Sequence, residues 1–196
     1  MFRVAALLLL AAAGCSSSPT PQADTRSKDS PSPIAPPEEP KAEHDYTDWK
    51  RYAPAEAAFE VRFPSEPIVH APSNATGNLH VAAVQRKVVD ELAFICQWTI
   101  KDRPYANRAA ESAYLMGQQI GAVNASKGRL VEAKDINLSD ALGRECIIAI
   151  DDQNVSRSRT FLAGKRMISL QVMGKDVGAV RSADATKFFD SLKISK

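Results

Sequence analysis

Hydrophobic and polar positions divide this chain into three stretches with different rhythms. Val4 to Ala13 is an unbroken apolar run. Residues 16–45, SSSPTPQADTRSKDSPSPIAPPEEPKAEHD, have no apolar rhythm, with Ile34 as the only large aliphatic and no aromatic. From Tyr46, Trp49 and Tyr52 onward, periodic patterns begin and continue to Lys196.

In that third stretch Phe59-Glu60-Val61-Arg62-Phe63 alternates apolar and polar and stops at Pro64, which predicts a strand. Val81 to Val89 and Leu92 to Ile100 predict a hairpin across Asp90-Glu91, with Phe94, Cys96, Trp98 and Ile100 on one face. A helix is predicted from about Arg108 to Ser126, capped by Asn107 and ended by Gly128. Ala109, Ala113, Met116, Ile120 and Val123 form its broad apolar face. Beside them Ala113, Gly117, Gly121 and Ala125 recur every four residues, a seam of small side chains that predicts close approach to a neighbour. Glu111, Gln118, Gln119 and Asn124 make it a helix lying on a sheet with one side in water.

Leu130–Leu138, Leu142–Ile150, Val155–Leu162 and Arg166–Val172 predict four more strands, with turns at 151–154 and 163–165. A three-residue loop at 163–165 pairs Phe161 with Met167 and Thr160 with Ile168. It sets Ser156, Ser158, Thr160 and Leu162 beside Ile168, Leu170 and Val172, and turns Arg157, Arg159, Phe161, Ser169 and Gln171 the other way. A last helix, Ala183 to Leu192, is capped by Ser182 and carries Ala185, Phe188, Phe189 and Leu192 at i, i+3, i+4 and i+7. Strands, helix, strands, helix indicate an α+β fold: an antiparallel β-sheet of about six or seven strands covered by two main helices.

Composition changes the picture only when taken stretch by stretch. The 196 residues carry 25 Lys+Arg against 23 Asp+Glu, a net charge of +2, with 3 Cys and 12 Pro. These values exclude collagen-like, disulfide-scaffold, multispan-membrane and wholly disordered classes, and the charge is too weak to argue for nucleic acid. Seven Pro and six Ser fall within residues 16–45. Such a segment cannot bury enough apolar surface to offset ordering, and Pro favours an extended spacer. Thirty residues reach at most about 90 Å at ~3.1 Å each. Arg26, Lys28 and Lys41 stand there against Asp24, Asp29, Glu38, Glu39, Glu43 and Asp45, a charge of −3. With Arg3 set aside, residues 46–196 carry +4.

The N-terminal run is too short for a bilayer, which needs about 20 apolar residues, and fits a secretory core behind Arg3. Ala12-Ala13-Gly14-Cys15 resembles the lipobox of bacterial lipoprotein signal peptides, although Ala12 stands where that family most often has Leu. The resemblance implies lipid on the Cys15 thiol and cleavage before it. More than one acyl chain is needed for stable anchoring, and a mature lipoprotein carries two or three. Ser16, in place of the Asp that retains some lipoproteins at the inner membrane, favours the outer membrane or its periplasmic face. The expected organisation is a signal peptide at 1–14, a lipidated Cys15 with a disordered tether to 45, and one α+β domain at 46–196.

Candidate chemistry is sparse. Cys96 and Cys146 form an even pair in an exported protein, so they are either a disulfide or two buried free thiols. His44, His70 and His80 lack metal-ligand spacing and read as surface histidines, with His70 in a Pro-rich loop. Asp151-Asp152 is a carboxylate pair inside a turn that favours Asp anyway. No nucleophile-elbow, phosphate-loop or dinucleotide motif occurs, so neither a metal nor a cofactor is expected. The most distinctive surface feature is basic: Arg157 and Arg159, joined by Arg144, Lys165 and Arg166. It reads as a docking patch for anionic lipid headgroups, cell-wall polymer or an acidic protein. The simpler reading is a solvated sheet face with cross-strand partners such as Glu145.

Phe59-Glu60-Val61-Arg62-Phe63-Pro64, Arg157-Ser158-Arg159-Thr160-Phe161, Lys165 through Val172 and Ala185 through Leu192 together resemble the PsbP-like α/β/α sandwich over 57–195. That family is named after an extrinsic photosystem II subunit, and similar short lipoproteins occur in bacteria. The resemblance implies a binding or assembly module with no shared catalytic residues. Where members often have Tyr near the end of the penultimate strand, this chain has Ile168, so no tyrosine-dependent role is expected. The expectation is therefore a membrane-anchored, non-enzymatic envelope lipoprotein that binds or scaffolds. The alternatives are an envelope enzyme with an unrecognised site, or a carrier of a small ligand or metal.

Overall fold

The computed structural model describes residues 44–70, 79–85 and 92–195. The signal, Cys15, the spacer to residue 43 and the Asp90-Glu91 turn lie outside the described residues. The first half contains β1 (Lys50–Tyr52), β2 (Phe59–Phe63), β3 (Ile68–His70), β4 (His80–Gln85), β5 (Ala93–Ile100) and α1 (Arg108–Ser126). The second contains β6 (Arg129–Leu138), β7 (Ala141–Asp151), β8 (Asn154–Ala163), β9 (Arg166–Gly174), α2 (Val177–Val180), α3 (Ala183–Asp190) and β10 (Lys193–Ile194). The strands make a seven-stranded sheet in the order β3-β4-β5-β9-β8-β7-β6 and a three-stranded sheet, β1-β2-β10. Each pairing among the described residues is antiparallel.

The core lies on one face of the large sheet, its inner face. Phe94, Cys96 and Trp98 on β5 pair with Val172, Leu170 and Ile168 on β9, and all six are buried. Against them pack Phe59, Val61 and Phe63 from β2, the stripe Ala185, Phe188 and Phe189 from α3, and Leu192, which the sequence placed in that helix but which follows its end at Asp190. Phe188 sits at the centre, its ring 5.2 Å from Phe63 and 5.3 Å from Phe94. Burying one such side chain contributes about 1.5–3 kcal/mol. Ser182 caps α3 by accepting from the Ala185 amide, as its sequence predicts. The layer over this face thus holds α3 and the small sheet together, rather than a helix alone.

α1 crosses the other face, the outer one. Asn107 caps it, Oδ1 accepting from the Ala110 amide at 2.9 Å. Its left-handed terminator is Lys127 at φ 53°, not Gly128. Gly128 serves a different need, because a Cβ there would lie 2.7 Å from the Ala149 carbonyl oxygen. Two expectations for this helix fail. Met116 and Ile120 are 48% and 53% exposed, and the one buried residue is Leu115. The small-residue seam makes no close approach, since a Cβ at Gly117 or Gly121 would meet nothing within 4 Å. The helix is rotated so that Leu115, Gln118, Gln119 and Ala122 face the sheet.

The larger correction is register. β8 and β9 pair Ala163 with Arg166, Leu162 with Met167 and Phe161 with Ile168, one residue from the expected alignment. The turn is Gly164-Lys165, with Gly164 at φ 62°. A one-residue slip exchanges the faces of a strand. Arg157, Arg159 and Phe161 therefore lie on the inner face, and Ser156, Ser158 and Thr160 on the outer face with Ser169 and Gln171.

Candidate functional site

The basic residues of the expected patch are not brought together. Lys165 is exposed at the hairpin tip. Arg166 turns toward the small sheet, where Nη1 donates to the carbonyls of Ala57 and Ala58, each at 3.1 Å. Arg144 is on the outer face. Arg157 and Arg159 are covered, with side chains 10% and 15% exposed.

What holds those two arginines inside is Glu145, itself 4% exposed and directly across from Arg159 on β7. Its Oε2 accepts from Arg157 Nη2 at 2.9 Å and from Arg159 Nε at 2.5 Å. Arg159 Nη1 continues to Asp190 Oδ1 at 3.0 Å, and Asp190 Oδ2 lies 3.1 Å from His44 Nε2. The Phe189 ring supports both guanidiniums, 4.9 Å from Arg157 and 5.1 Å from Arg159. Burial by itself would raise the Glu145 carboxyl, but the Arg159 and Arg157 guanidiniums hold it below the usual carboxylate range. This ladder ties β7, β8, α3 and the segment at His44 into one unit. It is an internal brace, closed to a macromolecular partner.

Cys96 and Cys146 cannot pair. Cys96 is on the inner face of β5 and Cys146 on the outer face of β7, with β9 and β8 between them. Three strand spacings of about 4.8 Å separate them, against the ~7 Å limit between Cα atoms of a disulfide. Both are free thiols. Burial pushes the Cys96 thiol up strongly and that of Cys146 up to about 11, so neither is a ready nucleophile. Asp151 shapes its own turn, Oδ1 accepting from the Gln153 amide at 2.8 Å. His70 is the last residue of edge strand β3 rather than in a loop, and the His80 ring stacks on Trp98 at 4.8 Å. Among the described residues no three His, Cys, Asp or Glu side chains group to hold a metal ion.

The feature not foreseen is a cleft of about 320 Å³ between α1 and the outer face of the sheet. α1 rests on that face at one end, where Leu115 packs with Leu142, Leu162 and Met167. Beyond this contact Gln118 and Gln119 stand over Gln97, Ser158, Ser169 and Gln171, and the layers do not close. Some of the polar groups satisfy one another. Thr160 Oγ1 is 2.9 Å from Ser169 Oγ, and Gln171 Nε2 donates to Ser156 Oγ at 2.7 Å. Arg144 is held at the edge, Nε donating to Gln119 Oε1 and Nη1 to Asp135 Oδ1, both at 2.5 Å. The signal for this cleft is in the polar side chains at every second position of three strands, Gln97/Thr99, Ser156/Ser158/Thr160 and Ser169/Gln171, set between apolar residues on β5 and β9 and between arginines on β8. Read in the correct register they form one polar sheet face.

No family model and no curated protein matches this sequence. Among solved structures, cyanobacterial PsbP (CyanoP) from Synechocystis sp. PCC 6803 superposes with a TM-score of 0.53 at 11% identity, covering 75% of this chain and 92% of that one. The domain is PsbP-like in fold. At that identity the likeness carries the fold alone, and the PsbP-like domain's site must be argued from its own residues. A Pseudomonas aeruginosa protein of unknown function, PA94, aligns at a TM-score of 0.37 and 11% identity over 68% of this chain and 86% of that one, too loosely to carry an argument.

Proposed function

We propose that this protein is a lipid-anchored lipoprotein of the bacterial envelope whose PsbP-like domain is a non-catalytic binding module. The membrane is its partner through lipid on Cys15, and the Pro-rich spacer stands the domain off the surface. Arg3, the ten-residue apolar run and Cys15 support the anchor, and Ser16 favours the outer membrane or its periplasmic face. The domain reads as an α/β/α sandwich in which the small sheet shares the α3 layer.

The observation that carries the binding reading is the cleft under α1. Its lining among the described residues consists of carboxamides, hydroxyls, one arginine, one thiol and apolar side chains. Such groups hold and orient a ligand. Proton transfer near neutral pH calls for a His, a carboxylate or a tuned Lys, and the one thiol there is kept protonated by burial. That chemistry favours a binding module over the alternatives of an envelope enzyme or a metal carrier. Docking of an anionic partner on Arg157 and Arg159 is not part of the proposal, because both face inward.

Mass spectrometry of the mature N-terminus tests the anchor. The expected species begins at a lipidated Cys15 and partitions with membranes, and Cys15→Ser moves the protein to the soluble fraction. A mature chain that begins elsewhere without lipid overturns the tether.

A further inference from the structure

The cleft under α1 has a lining that specifies the chemistry of what fits it. Its charge is balanced: Arg144 faces Asp135 at 2.5 Å, and no other ionic side chain of the described residues lines it. A ligand with a net charge therefore finds no unmatched partner. Hydrogen-bonding capacity is nonetheless dense. Each carboxamide and each hydroxyl can both donate and accept, which is the pattern a hydroxyl group also presents. Gln97, Gln118 and Ser158 line the cleft without a side-chain hydrogen bond to any described residue, so their valences stay open. Apolar surface completes the lining, from the Tyr114 ring at one end and Ile148 on the sheet. A volume of about 320 Å³ is at the small end for ligand clefts.

Dual donor–acceptor groups, balanced charge and apolar patches together match one ligand class. We propose that the cleft binds a small uncharged saccharide, of one or two rings, whose hydroxyls meet the glutamines and serines while its C–H face lies on the apolar lining. This rests on reading the cleft as the domain's binding site. In an envelope protein such a ligand is a glycan end or a free sugar.

Amide NMR spectra of the full chain carrying Cys15→Ser test the inference, with N,N′-diacetylchitobiose and maltose as probes and inorganic phosphate as the anionic control. At about 10 mM a probe nearly saturates any site with a Kd of about 1 mM or below. The expected result is a saturable shift, with at least one sugar, confined to residues around Gln97, Gln118 and Ser158. The double variant Gln97→Ala/Gln118→Ala removes two half-buried side chains that make no side-chain hydrogen bond among the described residues. It should weaken binding about 10-fold, the loss of two ordinary hydrogen bonds. An undiminished response in that variant overturns the proposal, as does a sugar response elsewhere on the domain. Cleft shifts with phosphate but neither sugar overturn the saccharide class and leave the cleft a binding site. Silence of the cleft toward sugars, phosphate and a mixed fragment library overturns both readings.

Discussion

Replacing Glu145 by leucine removes the hub of the inner brace and should be among the most damaging single changes in the domain. Arg159 keeps Asp190 at 3.0 Å. Arg157 does not fare as well. It is 8% exposed, its Nε has no partner among the described residues, and beyond the Phe189 ring what remains to it is one long hydrogen bond to the Val180 carbonyl at 3.5 Å. Stranding a buried charge in this way costs about 3–5 kcal/mol. For a domain of this size total stability is about 5–15 kcal/mol. Each kcal/mol lowers Tm by about 2–4 °C, so the fall should be about 6–20 °C. Urea unfolding followed by tryptophan emission reads the change directly, because Trp98 and Trp49 both sit in the core at 1% and 9% exposure. The double variant Glu145→Leu/Arg157→Met removes the stranded charge along with its partner and should recover at least about 2 kcal/mol of the loss, since buried pairs exchange for apolar groups at little cost. A loss below about 1 kcal/mol in the single variant, or no recovery in the double, refutes the reasoning. Either result would mean that Arg157 reaches water, as the alternative register of β8 requires.

Two further outcomes follow from the same geometry. Glu145 titrates below its unfolded value of about 4.3, so its contribution is complete above that pH and is lost as pH falls through the folded value; calorimetry should show Glu145→Gln less stable at neutral pH but with a shallower acid decline, and parallel declines would contradict this. Gly143→Ala should cost about 1–3 kcal/mol by overpacking, because the new Cβ would stand 2.4 Å from Phe161 Cδ1 beneath a buried ring; an unchanged urea midpoint would show that Phe161 has room to move.

Local signals carried much of this fold. The stripe on α3 and the caps Asn107 and Ser182 stand where spacing and capping chemistry put them, since those rules act over three to seven residues. β5 likewise buries Phe94, Cys96 and Trp98 as alternation requires. The faces of β8 were not legible, because both of its sides carry polar residues and the usual rule sends arginines to water. What reverses it are Glu145, Asp190 and the Phe189 ring, 14, 31 and 30 positions from Arg159, which no window on the strand contains. Glu145 was legible as a cross-strand partner, but its burial was not. The cleft was hidden by the same slip, which split its serines and glutamines between two faces. The short β1, α2 and β10 depend on tertiary pairing and leave little pattern of their own.

The contact between His44 and Asp190 also fixes a direction. The chain enters the fold at His44 against α3, with Tyr46 donating its hydroxyl to the Lys187 carbonyl at 3.0 Å. That entry is on the opposite side of the seven-stranded sheet from α1. His44, the first described residue, therefore lies on the α3 side, and the sheet stands between it and the cleft like a shield with its handle behind. A pull applied to the chain at His44 would run through Asp190, Arg159 and Glu145, loading the brace on the face away from the glutamine-lined opening.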